Sequence, residues 1–369
     1  MIETTKPFRV LSLDGGGMRG IYTAQYLSSL ADGFSKKRSC KTLDIGSGFD
    51  LIVGTSTGAI LACALVANVP LAKVVEFYSN RGAAIFERRV PTSFGPSLVS
   101  DLLRRPNALK RGDAELRSAL TECFGDETVG AVYERRKIAL GITAVDMSTH
   151  RSWVFKTPHM KGSNHRDDPF TLVELCLASS AAPIYRSLAQ MPAHDGSSGS
   201  HVFADGGLWA NNPVLIGMID ALELAPAGQS IEIFSIGTVP RPAGDDMRKE
   251  IVHRSLLDWR FGAEAASLAI DAQEFAYHQM ARMLSRHLDH PCTVVRFPRE
   301  SVPANMMQYL DLDEVRPDAL REIVNLARND VNMTNSKCND INDSEAALIS
   351  RLFSELTEQS ADTPTKRTS

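Results

Sequence analysis

A chain of 369 residues, 43% hydrophobic and 23% charged, is long enough for one large α/β domain or two smaller ones and has ordinary globular composition. Its formal net charge of −4 argues against bulk attraction to nucleic acid, so no DNA or RNA partner is expected. Six scattered cysteines without a Cys-x-x-Cys pair argue against a disulfide framework or a zinc site, and Met1–Pro7 lacks a signal-peptide pattern, which points to the cytoplasm.

Phe8–Leu13 reads as a central strand that runs straight into Asp14-Gly15-Gly16-Gly17-Met18-Arg19-Gly20, with a helix beginning at Ile21. Strand, glycine loop, helix is the layout of an anion-binding turn, because consecutive glycine amides can converge on one oxygen. Gly15–Gly20 also matches Gly-x-Gly-x-x-Gly, but the acidic partner expected about 20 residues on is not cleanly present. Asp32 falls in a polar connection that runs to Gly48. Two uses stay open for the triple glycine: a nucleotide phosphate site, or an oxyanion hole for a nucleophile further along.

That nucleophile is offered at once. Phe49–Val53 reads as a buried strand and Ala59–Leu65 as a helix, and between them lies Gly54-Thr55-Ser56-Thr57-Gly58. Gly54 and Gly58 leave room for a turn so tight that Ser56 takes a strained backbone conformation, lifting its hydroxyl above the sheet edge. The bland alternative is a chance Gly-x-Ser-x-Gly in a loop. The apolar run Ala59–Val69 is too short to span a bilayer.

Leu71–Phe86 has apolar residues at helical spacing. From Arg81 to Arg111 the chain turns basic, with Arg81, Arg88, Arg89, Arg104, Arg105, Lys110 and Arg111 against Glu87 and Asp101, interleaved with apolar residues. A lid over an anionic lipid would have this composition, and so would a pocket for a phosphate-bearing regulator or a solvated excursion. Gly112–Phe124 reads as an amphipathic helix, Arg136–Met147 and Ser152–Lys156 as a strand pair, Thr171–Ala182 as a helix rich in small residues, and Gln190–Gly199 as a loop.

His201–Asp205 is a short strand that delivers an acid to its end, where Gly206 and Gly207 force a turn; taken alone, Asp205 reads as a turn maker before a catalytic base. Asn212 and Pro213 suit the N-cap and first residue of a helix reaching Leu224. Further elements are a strand at Ile231–Ile236, a helix over Glu264–Leu288, a strand at Cys292–Phe297 and a helix at Val315–Arg328. Alternating strands and helices call for a single doubly wound α/β domain over residues 1–330. Residues 331–369 read as a polar extension, with one helix over Ser344–Leu356 and disorder from Thr357.

Asp14–Gly20, Gly54–Gly58 and Asp205-Gly206-Gly207, in this order and spacing, resemble the three signatures of the patatin-like phospholipases, and Ala178–Pro183 resembles a further stretch of that family. The resemblance covers about Phe8–Gly237. It implies a three-layer α/β/α sandwich with a mostly parallel sheet and a nucleophile elbow, and a phospholipase that works through a Ser–Asp dyad without metal or cofactor. By that resemblance Ser56 is the nucleophile, Asp205 the base, Gly15, Gly16 and Gly17 the oxyanion hole, and Arg19 a support for the loop or the lipid phosphate. The opening motif and length also look like the bacterial effectors of cyclic-oligonucleotide anti-phage signalling. Those are phospholipases acting on the inner membrane surface and activated by a cyclic dinucleotide, for which Arg81–Arg111 would be a sensing lid.

Two rivals remain. Chain order permits a Ser-His-Asp triad using His253, His278, His287 or His290, although none of these stands at an obvious strand-end loop. The other is a nucleotide-binding module that uses the glycine loop without hydrolysis.

Overall fold

In the computed structural model the described residues are 6–359, without 91–95, 195–198, 240–251, 256–257, 260–261, 301 and 341. The chain runs β1 (Phe8–Leu13), α1 (Gly20–Lys37), β2 (Leu43–Asp44), β3 (Leu51–Gly54), α2 (Thr57–Ala67), α3 (Leu71–Ile85), α4 (Pro96–Phe124) and α5 (Val129–Arg136). It continues through β4 (Ala139–Asp146), β5 (Arg151–Lys156), α6 (Leu172–Ser179), β6 (Ala189–Pro192), β7 (Ser200–Asp205), α7 (Gly207–Ala210) and α8 (Val214–Leu224). Last come β8 (Ile231–Ile236), α9 (Ala263–Leu284), β9 (Cys292–Phe297), α10 (Pro317–Lys337), α11 (Ser344–Glu355) and β10 (Thr357–Glu358).

The main sheet has the order β6-β7-β4-β3-β1-β8-β9, with β5 on the far edge of β4. Strands β4, β3, β1, β8 and β9 run parallel, while β5 and β7 oppose β4 and β6 opposes β7. Leu11, Leu13, Ile52, Phe234 and Ile236 enter the core shared with α1 and α2; Val10, Leu51, Val53, Ile231 and Ile233 enter the core shared with α8 and α9. A sheet covered on both faces needs strands that are apolar on both, and β1, β3 and β8 are mainly apolar, with Arg9, Ser12, Glu232 and Ser235 buried among their apolar residues. The result is a three-layer α/β/α sandwich.

Pairing along β4 explains how two distant motifs meet. β5 occupies one edge of β4 from Gly141 to Asp146. On the opposite edge, β3 pairs with Ala139–Ile142 and β7 with Ala144–Asp146. Strands β3 and β7 therefore run towards each other along one edge and end head to head, with Gly54 opposite Ile142 and Asp205 opposite Ala144. One residue, Thr143, separates the two registers. The C-terminal ends of β1, β3 and β7 thus define one crevice, where open α/β sheets bind their ligands.

Several sequence expectations shift. Asp32 lies inside α1, which continues to Lys37, and so does not stand at the end of a second strand; the acid that ends β2 is Asp44, which accepts from the Ser47 N–H and pairs with Arg136. Part of the expected loop at 190–199 is the edge strand β6; a four-residue strand ending in proline is too short to show a period, and it is fixed by pairing with β7. Helix α4 starts at Pro96 rather than Gly112 and continues through Pro106. α9 stops at Leu284, four residues earlier than its apolar pattern indicates. Asn212 acts one position outside the expected N-cap: helix α8 begins at Val214, whose N–H donates to Asn212 Oδ1 at 3.0 Å.

The boundary expected at residue 330 falls within α10, which packs on α1 through Tyr22 with Asp330 and Tyr26 with Thr334. Residues beyond it are built into the same domain. Arg351 pairs with Glu232 and Glu355 with the buried Arg9, while β10, expected to be disordered, pairs with β2. Residues 360–369 of that expected tail lie outside the described residues.

Candidate active site

The turn after β3 is set by close backbone approach. A side chain at Gly54 would overlap the Gly58 carbonyl, and one at Gly58 would overlap the Leu13 carbonyl at the end of β1. Ser56, between them, has φ 55 and ψ −120, a conformation costing of order 1–3 kcal/mol that persists only where its surroundings hold it. Here its N–H donates to Ser179 Oγ at 2.8 Å, and Thr55 Oγ1 bonds both Thr143 Oγ1 at 2.7 Å and the Ala210 carbonyl at 2.6 Å. Those contacts fix the elbow to α6, β4 and α7.

Ser56 Oγ donates to Asp205 Oδ2 at 2.7 Å, so the two sequence motifs are joined by a direct hydrogen bond across the crevice. Asp205 Oδ1 accepts from the Gly207 N–H at 2.6 Å, leaving the carboxylate oriented by one bond on each oxygen. Burial pushes the Asp205 carboxyl up to about 6; the Ser56 hydroxyl, the Gly207 amide and Arg186 pull it back down. A carboxylate with a pKa near 6 is ionised at neutral pH and still basic enough to take a serine proton.

The glycine loop divides its labour. Gly15 N–H donates to the Asn211 carbonyl at 3.0 Å, so this amide is already committed and cannot serve an oxyanion. The N–H groups of Gly16 and Gly17 have no acceptor among the described residues, and both glycines line the cavity that holds Ser56 and Asp205. Of the three glycines expected to form an oxyanion hole, two keep an amide without an acceptor among the described residues. Arg19 is buried, its Nε donates to the Gly16 carbonyl at 3.2 Å, and it lines the same cavity.

Behind this loop stands a polar brace that sequence reading did not find. Arg296 Nη2 donates to Asp14 Oδ2 at 2.6 Å and to Glu274 Oε1 at 2.7 Å, and Asn211 Nδ2 donates to Glu274 Oε2 at 3.0 Å. Burial pushes the Asp14 carboxyl up to about 8, outweighing the Arg296 guanidinium beside it. The brace ties α9 and β9 to the glycine loop. Its members are far apart in sequence and carry no motif.

Apart from these groups the cavity wall is mostly apolar, with Met18, Ile60, Phe77, Ile85 and Phe86 suited to an acyl chain. Ile184 and Leu208, both lining it, are 46% and 49% exposed and form an apolar rim. The basic segment contributes Ile85 and Phe86 to the wall, but its charges are largely spent within the protein. Arg81 pairs with Glu115 and Glu122, Arg88 and Arg105 with Asp101, Arg89 with Asp311 and Glu314, and Arg111 with Glu87. Residues 91–95 of that segment lie outside the described residues.

None of the residues lining this cavity is a histidine. His278 lies in a different cavity with Arg282 and Arg296, and burial pushes its imidazole down to about 4. His290 bonds the Gln229 carbonyl just ahead of β9, at the opposite end of the sheet.

A strained serine bonded to a buried carboxylate, beside two unspent backbone amides in an apolar cavity, is a serine-hydrolase arrangement. The chain belongs to the patatin-like phospholipases: the model of that family matches residues 11–218. Similar relatives include a cGAMP-activated phospholipase of Pseudomonas aeruginosa, 32% identical over 97% of this chain and 94% of that one. Another cGAMP-activated phospholipase, from Escherichia coli, is 35% identical over 63% of this chain and 62% of that one. Among solved structures, human GIVD cytosolic phospholipase A2 aligns with a TM-score of 0.43 at 11% identity, covering 94% of this chain and 60% of that one.

Proposed function

We propose that this phospholipase cleaves carboxylic ester bonds of membrane phospholipids through a Ser56–Asp205 dyad, and that a cyclic dinucleotide switches it on. The observation that carries the dyad is the 2.7 Å bond from Ser56 Oγ to Asp205, in a cavity without a histidine. Asp205 takes the hydroxyl proton as Ser56 Oγ attacks the ester carbon, and the developing oxyanion is received by the Gly16 and Gly17 amides. Collapse expels the lysophospholipid alkoxide, which takes the proton from Asp205 and leaves an acyl-enzyme. Water then repeats the sequence, with Asp205 again accepting a proton, and releases the fatty acid and free Ser56.

Because the base must be ionised, kcat/KM should rise with pH through about 6 and reach a plateau above it, falling roughly tenfold per unit on the acid side. The same raised pKa means that the folded protein holds this proton where the unfolded chain, with an ordinary value of 3.8, has lost it. Its contribution to stability is full below about pH 4 and is lost as pH rises through 6. A profile flat down to pH 5 would remove Asp205 from the role of base.

Action at a membrane surface is supported by the exposed apolar rim of Ile184 and Leu208; among the described residues no helix is long and apolar enough to cross a bilayer. The switch is supported by the names of the relatives, and anti-phage defence is the setting that the resemblance implies. The test is fatty-acid release from phosphatidylethanolamine and phosphatidylglycerol vesicles, with and without a panel of cyclic dinucleotides including cGAMP. Release that rises on adding one of them is the expected result. Release that ignores all of them would overturn the switch alone, and no release under any condition would overturn the lipid substrate.

A further inference from the structure

Arg186 was singled out by no motif. It follows the small-residue stretch at the end of α6, in a turn held by its own N–H bond to the Ala182 carbonyl at 2.8 Å. The turn is fastened from outside, where Arg105 Nη1 donates to the Ile184 carbonyl at 3.2 Å and to the Arg88 carbonyl, while Nη2 donates to the Arg89 carbonyl. Arg186 is thus carried on a fixed wall of the cavity that contains Ser56.

Its charge is poorly answered. The side chain is 5% exposed, and among the described residues its one ion pair is with Asp113 at 3.4 Å and its buried Nε has no acceptor. Burial lowers the guanidinium pKa, with Asp113 and Asp205 opposing this. A buried cation costs several kcal/mol unless partners satisfy it, and one weak contact does not. Placed on the lining of a cavity, a cation in that state is completed by whatever anion the cavity admits.

On the phospholipase reading given above, we infer that Arg186 anchors the phosphodiester of the lipid substrate, and so makes the enzyme select phospholipids over neutral esters. The chemistry fits in two ways. A guanidinium presents a planar fork that matches two phosphate oxygens, and a desolvated site strengthens each bond. In a glycerophospholipid the phosphate stands only a few bonds from the scissile ester, so a carbonyl held at Ser56 brings the phosphate to the neighbouring wall. Arg19, which lines the same cavity, has its Nε committed to the Gly16 carbonyl, whereas the Arg186 Nε is buried without an acceptor among the described residues.

The experiment compares wild type, Arg186→Gln and Arg186→Lys on a phospholipid in mixed micelles and on p-nitrophenyl butyrate, with activating cyclic dinucleotide present throughout. Arg186→Gln should lower kcat/KM on the phospholipid by about 10²-fold, the scale of a charge-assisted pair, and on the neutral ester by no more than about threefold. Arg186→Lys should recover part of the phospholipid loss only. Fluorophosphonate labelling of Ser56 in each variant reports an intact site. Because losing Arg186 also raises the Asp205 pKa, both substrates are compared on each variant's own pH plateau; an equal fall on both there would make Arg186 a structural residue and overturn the assignment. Cyclic-dinucleotide affinity, followed by calorimetry, should be unchanged; its loss would make Arg186 a nucleotide contact instead. Wild-type hydrolysis of the neutral ester with none of the phospholipid would overturn the underlying lipid reading rather than this step.

Discussion

Ser56→Ala and Asp205→Asn should each remove ester hydrolysis by about 10³–10⁴-fold or more, and the double variant should be no worse than either. Residues that share one proton act as a unit, so removing either partner removes what the pair does. Asp205→Asn is the sharper change. Both carboxylate oxygens are used, one by the Ser56 hydroxyl and one by the Gly207 N–H at 2.6 Å. An Asn can keep its oxygen on the Gly207 N–H only by turning its NH2 to Ser56, which makes the hydroxyl an acceptor, and in neither orientation can the amide take the serine proton. By contrast His253→Ala, His278→Ala, His287→Ala and His290→Ala should each keep most of the activity. His278 makes the strictest control, because it is half-buried, has an unpartnered Nδ1 and stands near the brace behind the glycine loop. The measurement is vesicle hydrolysis with fluorophosphonate labelling and thermal melting as checks of folding. A folded His278 variant without activity would end the two-residue account.

What the sequence made legible was the part of the site built from backbone constraint. A nucleophile elbow needs glycines where other backbone passes too close for a side chain, and a donor loop needs consecutive amides free of side chains; both leave a mark in the order of residues. Asp205 stands out only together with the other motifs, since an acid before two glycines taken alone reads first as a turn maker. Its role depends on β3 and β7 sharing an edge of β4, which is a fact of pairing rather than of local sequence.

The rest was hidden for physical reasons. Ser179, whose Oγ receives the Ser56 N–H, lies in a run whose small size was visible and whose hydroxyl was not distinguishable from packing. Arg296, Glu274 and Asn211 form the brace only because β9 lies beside β8 and α9 covers it, a long-range consequence of sheet order. Arg186 looks like any polar residue after a helix until its burial is known. In the Arg81–Arg111 run, Arg81, Arg88, Arg89, Arg105 and Arg111 meet carboxylates of the protein itself, pairings that composition alone does not show.

Gly17→Ala should lower kcat by about 10²–10³-fold with little change in KM, the signature of a lost oxyanion donor. Gly17 has φ +58 and lies against the Leu312 carbonyl, which already accepts the Met18 N–H at 2.9 Å. A methyl group there would overlap that carbonyl oxygen, so either the 312 segment moves or the loop turns, and a turned loop re-aims the Gly17 amide. Left-handed strain alone adds roughly 1–2 kcal/mol of instability, and it must be separated from loss of the donor. Gly125 provides the control. Its φ is +57, and a methyl group there would meet nothing within 4 Å. Gly125→Ala should therefore carry the same backbone cost in thermal melting and leave turnover unchanged. If Gly17→Ala loses stability as Gly125→Ala does but keeps wild-type kcat, the Gly17 amide is not an oxyanion donor and the hole must be built elsewhere. If kcat falls while fluorophosphonate still labels Ser56 in full, the nucleophile is intact and the deficit lies in the transition state, where a pre-aimed amide acts.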